Sequence, residues 1–361
     1  MHAPQLAGLA AVLFHGAAVA HPGHDVAQEA AERRSFLDGL GVRSLSHCLP
    51  RFAENGLEMR NVARRAAQVE EARKKRGLGR FQKRDLEDVL DTDHNKTELG
   101  YTPDTSPEEL FAGINSCILT PEVTQGPYYV GGEFVRRNVI EEQPGVDIIL
   151  DYQVIDVDTC EPVPDLYLEI WHCNSTGVYS GVNARGNGNS ADTSNIDATW
   201  LRGIQPTDAD GVAQFESLFP GHYTGRTAHI HILAHANATL YDNQTLGNDI
   251  YASHVGQAFF DQTLIDAVEL LEPYASNTQP LTLNEQDGIL AQEASTDGVD
   301  PLMQYTLLGD SISDGLFAWL AFGISTASYD KVEPAVFYYE DGGVENPNGG
   351  GGGPPPPGGS A

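Results

Sequence analysis

The sequence contains few basic residues after its first hundred positions. Of its 361 residues, 51 are acidic and 21 are basic, which gives a formal net charge of −30. Residues 1–100 hold 15 of the basic residues, so only six accompany the 37 acidic residues that follow. Such a surface repels phosphate backbones, and we therefore exclude nucleic acids as partners of the C-terminal part. Beyond the N-terminus there is also no run of about 18 uncharged apolar residues, so the sequence predicts no membrane span.

Cysteine is scarce as well, and no two cysteines have the Cys-x-x-Cys spacing typical of zinc sites. If the protein is exported, its four cysteines are expected to form two disulfides. Cys160 precedes a predicted strand and Cys173 ends it, about 20 Å away at roughly 3.3 Å per residue, which argues against a Cys160–Cys173 bond. Cys48 is therefore expected to pair with one of these two and Cys117 with the other.

The first twenty residues have the pattern of a secretory signal peptide. Residues 6–20 are apolar and rich in small side chains, and they end in Ala18-Val19-Ala20, which satisfies the A-x-A cleavage rule. We therefore expect a secreted, extracellular protein. Four Asn-x-Ser/Thr sequons predict a glycoprotein. They begin at Asn95, Asn174, Asn237 and Asn243.

The rest of the chain divides into three regions. Residues 21–110 are rich in Ala, Glu and Arg, and the apolar spacing within residues 54–76 predicts an amphipathic helix, so we expect a helical N-terminal region and a linker. Residues 111–340 contain short strands between turn signals, which predicts a mainly β domain, an antiparallel β-sandwich. Residues 341–361 are rich in Gly and Pro and predict a disordered tail. The predicted strands are residues 146–157, 166–173, 212–217 and 229–235.

Two histidines in the last of these strands could hold a metal ion. His229 and His231 lie two residues apart, so a strand presents both imidazoles on one face. By itself this spacing also fits a partly exposed strand face. Tyr223 follows a Pro-Gly turn just upstream, and Tyr179 follows an earlier turn. Phenolate is a hard anionic donor, so two phenols and two imidazoles favour Fe(III) over Zn(II) or Cu(I).

These residues belong to a set of motifs that resembles the intradiol ring-cleavage dioxygenases. The resemblance covers about residues 115–330, with the motifs in the order of that family, and it begins with Thr120-Pro121 and Gly126-Pro127-Tyr128-Tyr129. The signal, the cysteines and the His21 start are similar to the secreted, fungal-type branch. The further motifs are Trp171-His172-Cys173-Asn174-x-x-Gly177-x-Tyr179, Asp208-x-Asp210-Gly211, Pro220-Gly221-x-Tyr223 and Arg226-x-Ala228-His229-Ile230-His231.

The resemblance implies a non-haem Fe(III) cofactor and an enzyme that cleaves catechol-type aromatic diols with O₂ to cis,cis-muconate-type products. It implies Tyr223 as a catalytic group in addition to its ligand role, with Arg226 as a cation beside the ring and Gln257 as a nearby polar group. Tyr128 and Tyr129 could line the diol pocket or pack as core aromatics. The implied iron ligands are Tyr179, Tyr223, His229 and His231.

Several alternatives remain open at this stage. The protein could be a secreted binding or cell-wall protein that has lost turnover, or a copper-dependent oxidase that uses His21. The N-terminal helices could form a homodimer interface. His235 is expected at the surface and His222 to point away from the ligands. The cations available for a substrate carboxylate, besides Arg226, are Arg136, Arg137, Arg185 and Arg202.

Overall fold

The computed structural model describes ten stretches of the chain. The predicted signal segment, His21, most of the predicted linker and most of the predicted tail lie outside them. Within the described residues, no helix combines the length and the apolar character that crossing a bilayer needs. The described residues are 26–42, 44–78, 116–119, 126–184, 186–189, 191–235, 238–246, 251–294, 299–328 and 330–348.

Three helices come first, as the sequence predicts. They are α1 (Val26–Leu40), α2 (Leu49–Asn55) and α3 (Leu57–Lys75). Helix α3 covers nearly the whole predicted amphipathic segment, and its buried residues recur at the helical period. Arg64 of α3 donates to the buried carboxylate of Asp151 at 3.0 Å, so α3 is fixed against the face of a sheet.

The remaining described elements are mainly β and form three sheets. Two short helices, α4 (Gln262–Glu269) and α5 (Gly288–Ala294), lie between strands. The strands are β1 (Ser116–Ile118), β2 (Val130–Gly131), β3 (Asp147–Asp156), β4 (Tyr167–Trp171), β5 (Arg202–Pro206), β6 (Val212–Leu218), β7 (His229–His235), β8 (Tyr251–Phe259), β9 (Gln304–Leu307), β10 (Leu316–Ile324), β11 (Asp330–Lys331), β12 (Val336–Tyr339) and β13 (Gly342–Glu345).

The first large sheet has the order β1-β10-β3-β6, with β9 also paired to β10. Its β10–β3 and β1–β10 pairs are parallel, so this layer is mixed where the sequence predicts antiparallel pairing. Strands β3 and β10 are both buried along almost their whole length, which is typical of strands covered on both faces. Helix α3 covers one face, and the second sheet covers the other.

The second large sheet, β11-β8-β7-β4-β5, is antiparallel throughout. Ile230, Ile232 and Ala234 of β7 point into the core between the two large sheets. The alternate residues of β7 therefore face the other side, where a second apolar cluster packs around Trp171 and Tyr179. The predicted period-two alternation of residues 229–235 is confirmed, and it places both histidines on that outer side.

A small third sheet, β13-β12-β2, lies on this outer side. Val336 of β12 belongs to the same apolar cluster as Leu233 of β7. Strand β13 lies beyond residue 340, so the first residues of the segment predicted as a disordered tail form a strand instead.

One disulfide is present, between Cys48 and Cys160. The prediction of a second one involving Cys173 is wrong, because Cys173 is a free, buried thiol. Its S–H donates to the carbonyl oxygen of Gly221 at 3.2 Å, and burial raises its pKa to about 12. Cys173 therefore packs as a small apolar side chain. The side chain of Cys117 lies outside the described residues.

Candidate metal centre

Four side chains that the sequence singles out converge on the outer face of the second sheet. Nε2 of His229 lies 3.3 Å from the hydroxyl of Tyr179, 3.5 Å from that of Tyr223 and 3.1 Å from Nε2 of His231. All four residues are at most 3% exposed. The structure therefore brings together two phenol oxygens and two imidazole nitrogens at one buried point.

The turn before Tyr179 positions the Tyr179 ring at this point. Oδ1 of Asn174 accepts from the backbone N–H groups of Thr176 and Val178, each at 3.1 Å. Gly177 has φ +77°, and a Cβ there would lie 2.2 Å from the carbonyl oxygen of His222. Only glycine can occupy position 177, because the turn before Tyr179 packs directly against the backbone next to Tyr223.

The backbone of Tyr179 is clamped by two buried asparagines that the sequence does not reveal as important. Asn187 accepts from the Tyr179 N–H at 2.7 Å and donates to its carbonyl at 2.8 Å. Asn195 donates to the same carbonyl at 2.7 Å. Both asparagines belong to the loop of residues 183–200, so this loop fixes the backbone of Tyr179. The Gly-, Asn- and Ser-rich composition of the loop predicts only an irregular segment.

Tyr223 begins a turn in which the Arg226 N–H donates to the Tyr223 carbonyl at 3.0 Å, and Gly225 supplies a positive φ of 86°. The turn is also bound from outside, because the Thr224 N–H donates to Gln279 at 3.2 Å and the Gly225 N–H donates to Thr282 at 3.1 Å. The ring of His222 points away from the four candidate ligands, as expected. It lies 2.7 Å from Glu269 and 2.9 Å from the carbonyl of Gln279.

Aromatic rings enclose the cluster. Tyr128 stacks on Tyr179 with ring centroids 4.5 Å apart and meets Tyr223 edge-on at 5.8 Å. Trp171 stacks on His231 at 4.7 Å with the ring planes 6° apart. Of the two candidate pocket residues, Tyr128 therefore borders the site. Tyr129 lies behind it against Trp171, with its hydroxyl 3.5 Å from Glu169, and is a core aromatic.

These donors fit a ferric ion. Ligand atoms on one metal ion, at bond lengths of about 2.0–2.1 Å, lie roughly 2.9–3.4 Å apart, and the separations of 3.1–3.5 Å found here are close to that. Nδ1 of His229 lies 2.6 Å from the Thr227 carbonyl, so a neutral His229 carries its proton there and keeps the Nε2 lone pair for a metal.

Burial and a bound cation would act on the two phenols in opposite directions. Burial raises the pKa of Tyr179 well above its ordinary value, and it raises that of Tyr223 to about 12, although Arg226 works in the opposite direction. Without a bound cation both phenols therefore stay protonated at neutral pH. A ferric ion would stabilise the phenolates and offset the cost of their burial.

Arg226 and Gln257 lie together, as the resemblance implies. Nη2 of Arg226 donates to Oε1 of Gln257, and Nε donates to Asp287 at 2.8 Å. Burial works against the charge of Arg226, but Asp287 outweighs it and raises the pKa of Arg226 above its ordinary value. Asp287 also accepts from the N–H of Leu290 at 3.0 Å, at the start of α5. Sequence reasoning missed Asp287, because nothing local links it to a residue 61 positions upstream.

Other expectations require correction. His235 is 4% exposed, not at the surface, with Nε2 2.5 Å from Glu169, because β2 and β12 cover this face of the sheet. Arg202 cannot bind a substrate carboxylate, since it donates to the carbonyls of Ser180 and Tyr128 at 2.7 Å each. Arg136 is likewise bound, to the carbonyls of Thr199 and Arg202.

Known proteins with similar sequences decide the family. A family model described as Dioxygenase matches residues 124–267. An intradiol ring-cleavage dioxygenase from Tetranychus urticae is 29% identical over 60% of this chain and 98% of its own, with a TM-score of 0.47. A second Tetranychus urticae dioxygenase is 30% identical over 58% of this chain and 96% of its own, with a TM-score of 0.44. The chain belongs to the intradiol ring-cleavage dioxygenases.

Among curated intradiol dioxygenases, the catechol 1,2-dioxygenase of Acinetobacter baylyi is 25% identical over 211 residues. The match covers 51% of this chain and 63% of that relative. The chain therefore spans less than two thirds of the length of this catechol 1,2-dioxygenase. We call Tyr179, Tyr223, His229 and His231 the phenol–imidazole cluster. The segment that the family model matches includes all four of these residues. It also includes Arg226 and Gln257.

Proposed function

We propose that the protein is a secreted, non-haem Fe(III) intradiol dioxygenase that cleaves catechol-type aromatic diols with O₂ to cis,cis-muconate-type products. The observation that supports this most directly is the meeting of Tyr179, Tyr223, His229 and His231 at one buried point, with donor atoms 3.1–3.5 Å apart. Family membership supports the reaction class.

When bound, a ferric ion would bind the diol oxygens and withdraw electron density from the ring, which makes the organic ligand reactive toward O₂. Tyr223 is the group we assign to take up a diol proton, at its phenol oxygen. Once deprotonated by the bound ion, its oxygen would be able to accept that proton.

Arg226 supplies a fixed positive charge beside the phenols. It is wholly buried and held between Asp287 and Gln257, so it needs no reorganisation as negative charge develops on the diol. Tyr128, stacked on Tyr179 and edge-on to Tyr223, provides an apolar wall for an aromatic ring.

A neutral ring suits this site better than a carboxylated one. Arg136 and Arg202 are bound to backbone carbonyls, and Arg137 lies 3.5 Å from Glu216. Arg185 lies outside the described residues. We therefore propose catechol and its neutral derivatives as the substrates.

Metal analysis combined with oxygen uptake tests the proposal. We expect one iron per chain, a burgundy colour from tyrosinate-to-Fe(III) charge transfer, and O₂ uptake with catechol that exceeds uptake with protocatechuate. Tyr223→Phe should keep iron bound but slow turnover, whereas Tyr241→Phe, at an exposed tyrosine, should leave both unchanged. A colourless protein that cannot be loaded with iron would contradict the assignment. An iron-loaded protein without O₂ uptake would support a binding protein that has lost turnover.

Export, glycosylation and a homodimer through the N-terminal helices are further parts of the proposal. The Cys48–Cys160 disulfide supports an oxidising compartment. Phe52 and Leu57 are buried within the chain, so a dimer would use outward residues such as Leu49 and Met59, which are 48% and 61% exposed. Size-exclusion chromatography with light scattering, on the parent and on Met59→Glu, tests the dimer.

A further inference from the structure

A cavity of about 640 Å³ lies apart from the phenol–imidazole cluster, and none of the four candidate ligands lines it. Its volume is in the range of small-molecule sites, roughly 300–1,000 Å³. Aromatic rings from three separate segments line it, together with a few polar side chains. The residues that matter here are Phe134, Tyr241, Tyr338, Tyr339, Asn243 and Glu340.

Two of these rings are exposed at the surface, and the other two pack against each other. Tyr241 and Tyr339 are 52% and 47% exposed, whereas Phe134 and Tyr338 pack edge to face at 5.6 Å. Clustered exposed aromatic rings mark binding surfaces, because leaving them in water is costly. A sugar ring matches such walls, since its C–H face is apolar while its hydroxyl groups can pair with a carboxylate or an amide.

Asn243, which lines the same cavity, is a possible attachment site for an N-linked glycan. It begins the sequon Asn243-Gln244-Thr245, and its exposed side chain lines the cavity. Oδ1 of Asn243 accepts from the hydroxyl of Thr245 at 2.8 Å and from its N–H at 3.2 Å. These bonds use only the amide oxygen and leave out Nδ2, the atom that N-glycosylation modifies.

The segment that carries Asn243 is fixed relative to the cavity. The Tyr241 N–H donates to the Thr245 carbonyl at 2.9 Å, and the Val135 N–H donates to the Gln244 carbonyl at 2.7 Å. Asn243 is therefore held over the cavity wall that Phe134 forms. By contrast, the sequon at Asn174 is half-buried, and its Nδ2 donates to Gln143 at 3.1 Å.

We propose that this cavity is a sugar-binding site whose occupant is the first part of an N-linked glycan on Asn243. The inference rests on the proposed export of the chain. In the attachment step, a lipid-diphosphate-linked oligosaccharide donates its sugar: the bond from C1 to the phosphate oxygen breaks, and a bond from C1 to Nδ2 of Asn243 forms. The amide proton leaves and the lipid diphosphate is released, so no oxidant or reductant is needed. Tyr241 and Tyr339 then cover the apolar face of the first sugar.

The experiment directs the full chain into the secretory pathway of a yeast with the host's own leader. Glycopeptide mass spectrometry measures occupancy at Asn243, and endoglycosidase digestion of the native protein measures how well the core sugar is shielded. We expect Asn243 to be occupied in the parent and in the ring variant Tyr241→Ala/Tyr339→Ala. Native digestion should be several-fold slower in the parent than in the ring variant, and equally fast in both after denaturation.

Leu270→Ala, which changes a side chain that is 82% exposed on another part of the surface, is the matched control and should digest like the parent. An unmodified Asn243 overturns the proposal. So does a glycan that the endoglycosidase removes equally fast from the native parent and the native ring variant, because it then extends into water. These readouts need neither iron nor turnover, so they are independent of the proposed dioxygenase activity. Export by the chain's own first twenty residues is measured separately.

Discussion

The charge of Arg226 is held by protein groups rather than by water. Arg226 and Asp287 are both wholly buried, 2.8 Å apart. Removing one member of a buried ion pair typically costs about 3–5 kcal/mol, because the remaining charge is left uncompensated. The position of Arg226 against the phenols therefore depends on Asp287, which is not one of the four candidate ligands.

Asp287→Asn tests this dependence. The amide keeps the size of the side chain but removes the charge that fixes Arg226, so we expect kcat with catechol to fall about 10–100-fold, as for other partners of site residues. Iron content and colour should stay close to those of the parent. Asp266→Asn, at an exposed position of α4, is the matched control. Unchanged turnover in Asp287→Asn would show that Gln257 alone positions Arg226.

Glu133 is a second buried group with an unusual protonation state. Burial raises its pKa to about 8, although Arg202, 3.7 Å away, works in the opposite direction. Because the folded-state pKa lies above the unfolded value of about 4.3, the folded protein holds this proton more tightly. The contribution to stability is present at low pH and is lost as the pH rises toward 8.

Glu133→Gln should therefore stabilise the protein at pH 8 and do so much less at pH 5, since glutamine resembles the protonated acid. Thermal unfolding of parent and variant across pH 5–9 measures the difference. Glu141→Gln, at an exposed position that also lies near an arginine, should leave the pH dependence of the parent unchanged. Parallel curves for the parent and Glu133→Gln would contradict the raised pKa.

At the scale of elements, the disulfide ties the helical region to the sandwich. Cys48 directly precedes α2 and Cys160 lies in the turn after β3, 112 residues away in sequence. In the chain-entropy account, closing a loop of about 100 residues contributes about 4.7 kcal/mol. The helices would still pack through buried contacts such as Arg65 with Asp151.

Cys48→Ser/Cys160→Ser should lower the free energy of unfolding by about 2–5 kcal/mol, because the unfolded chain gains freedom. Urea unfolding of metal-free protein measures this loss without interference from iron. Cys173→Ala removes a thiol that forms no disulfide, so it should retain the sensitivity of the parent to reducing agent. If reduction leaves the unfolding midpoint of Cys173→Ala unchanged, the disulfide contributes nothing to stability.

The sequence predicted those elements whose pattern is local. Strand β7 and its histidine pair follow from the alternation of residues 229–235, and α3 follows from its helical period. The burial of His235 could not be predicted in this way, because it depends on β12, about one hundred residues downstream. The partnership of Arg226 with Asp287 is also a long-range contact without a local pattern. The parallel pairing of β3 with β10 escaped prediction for the same reason.

At the scale of the whole molecule, charge is the dominant feature. The formal net charge is −30, and the described basic residues after position 100 are largely engaged with protein groups, as Arg136 and Arg202 show. A field of this sign repels anionic substrates and is screened by salt over about 10 Å at 0.1 M ionic strength.

We therefore expect the KM for protocatechuate to fall as salt is raised from low concentration to about 0.5 M, while the KM for neutral catechol stays nearly constant. Oxygen-uptake kinetics with both diols at each salt concentration measure this difference. Catechol serves as the internal control for any general effect of salt on the enzyme. Equal salt dependence for the two diols would mean that the acidic surface does not reach the site.

The stack of Trp171 on His231, with ring centroids 4.7 Å apart, has an optical consequence. An indole loses its fluorescence when an efficient acceptor lies close, and a ferric ion bound through His231 would be such an acceptor. Iron loading is therefore expected to lower the emission of Trp171, and the loss of emission on titration with iron measures how many molecules bind it.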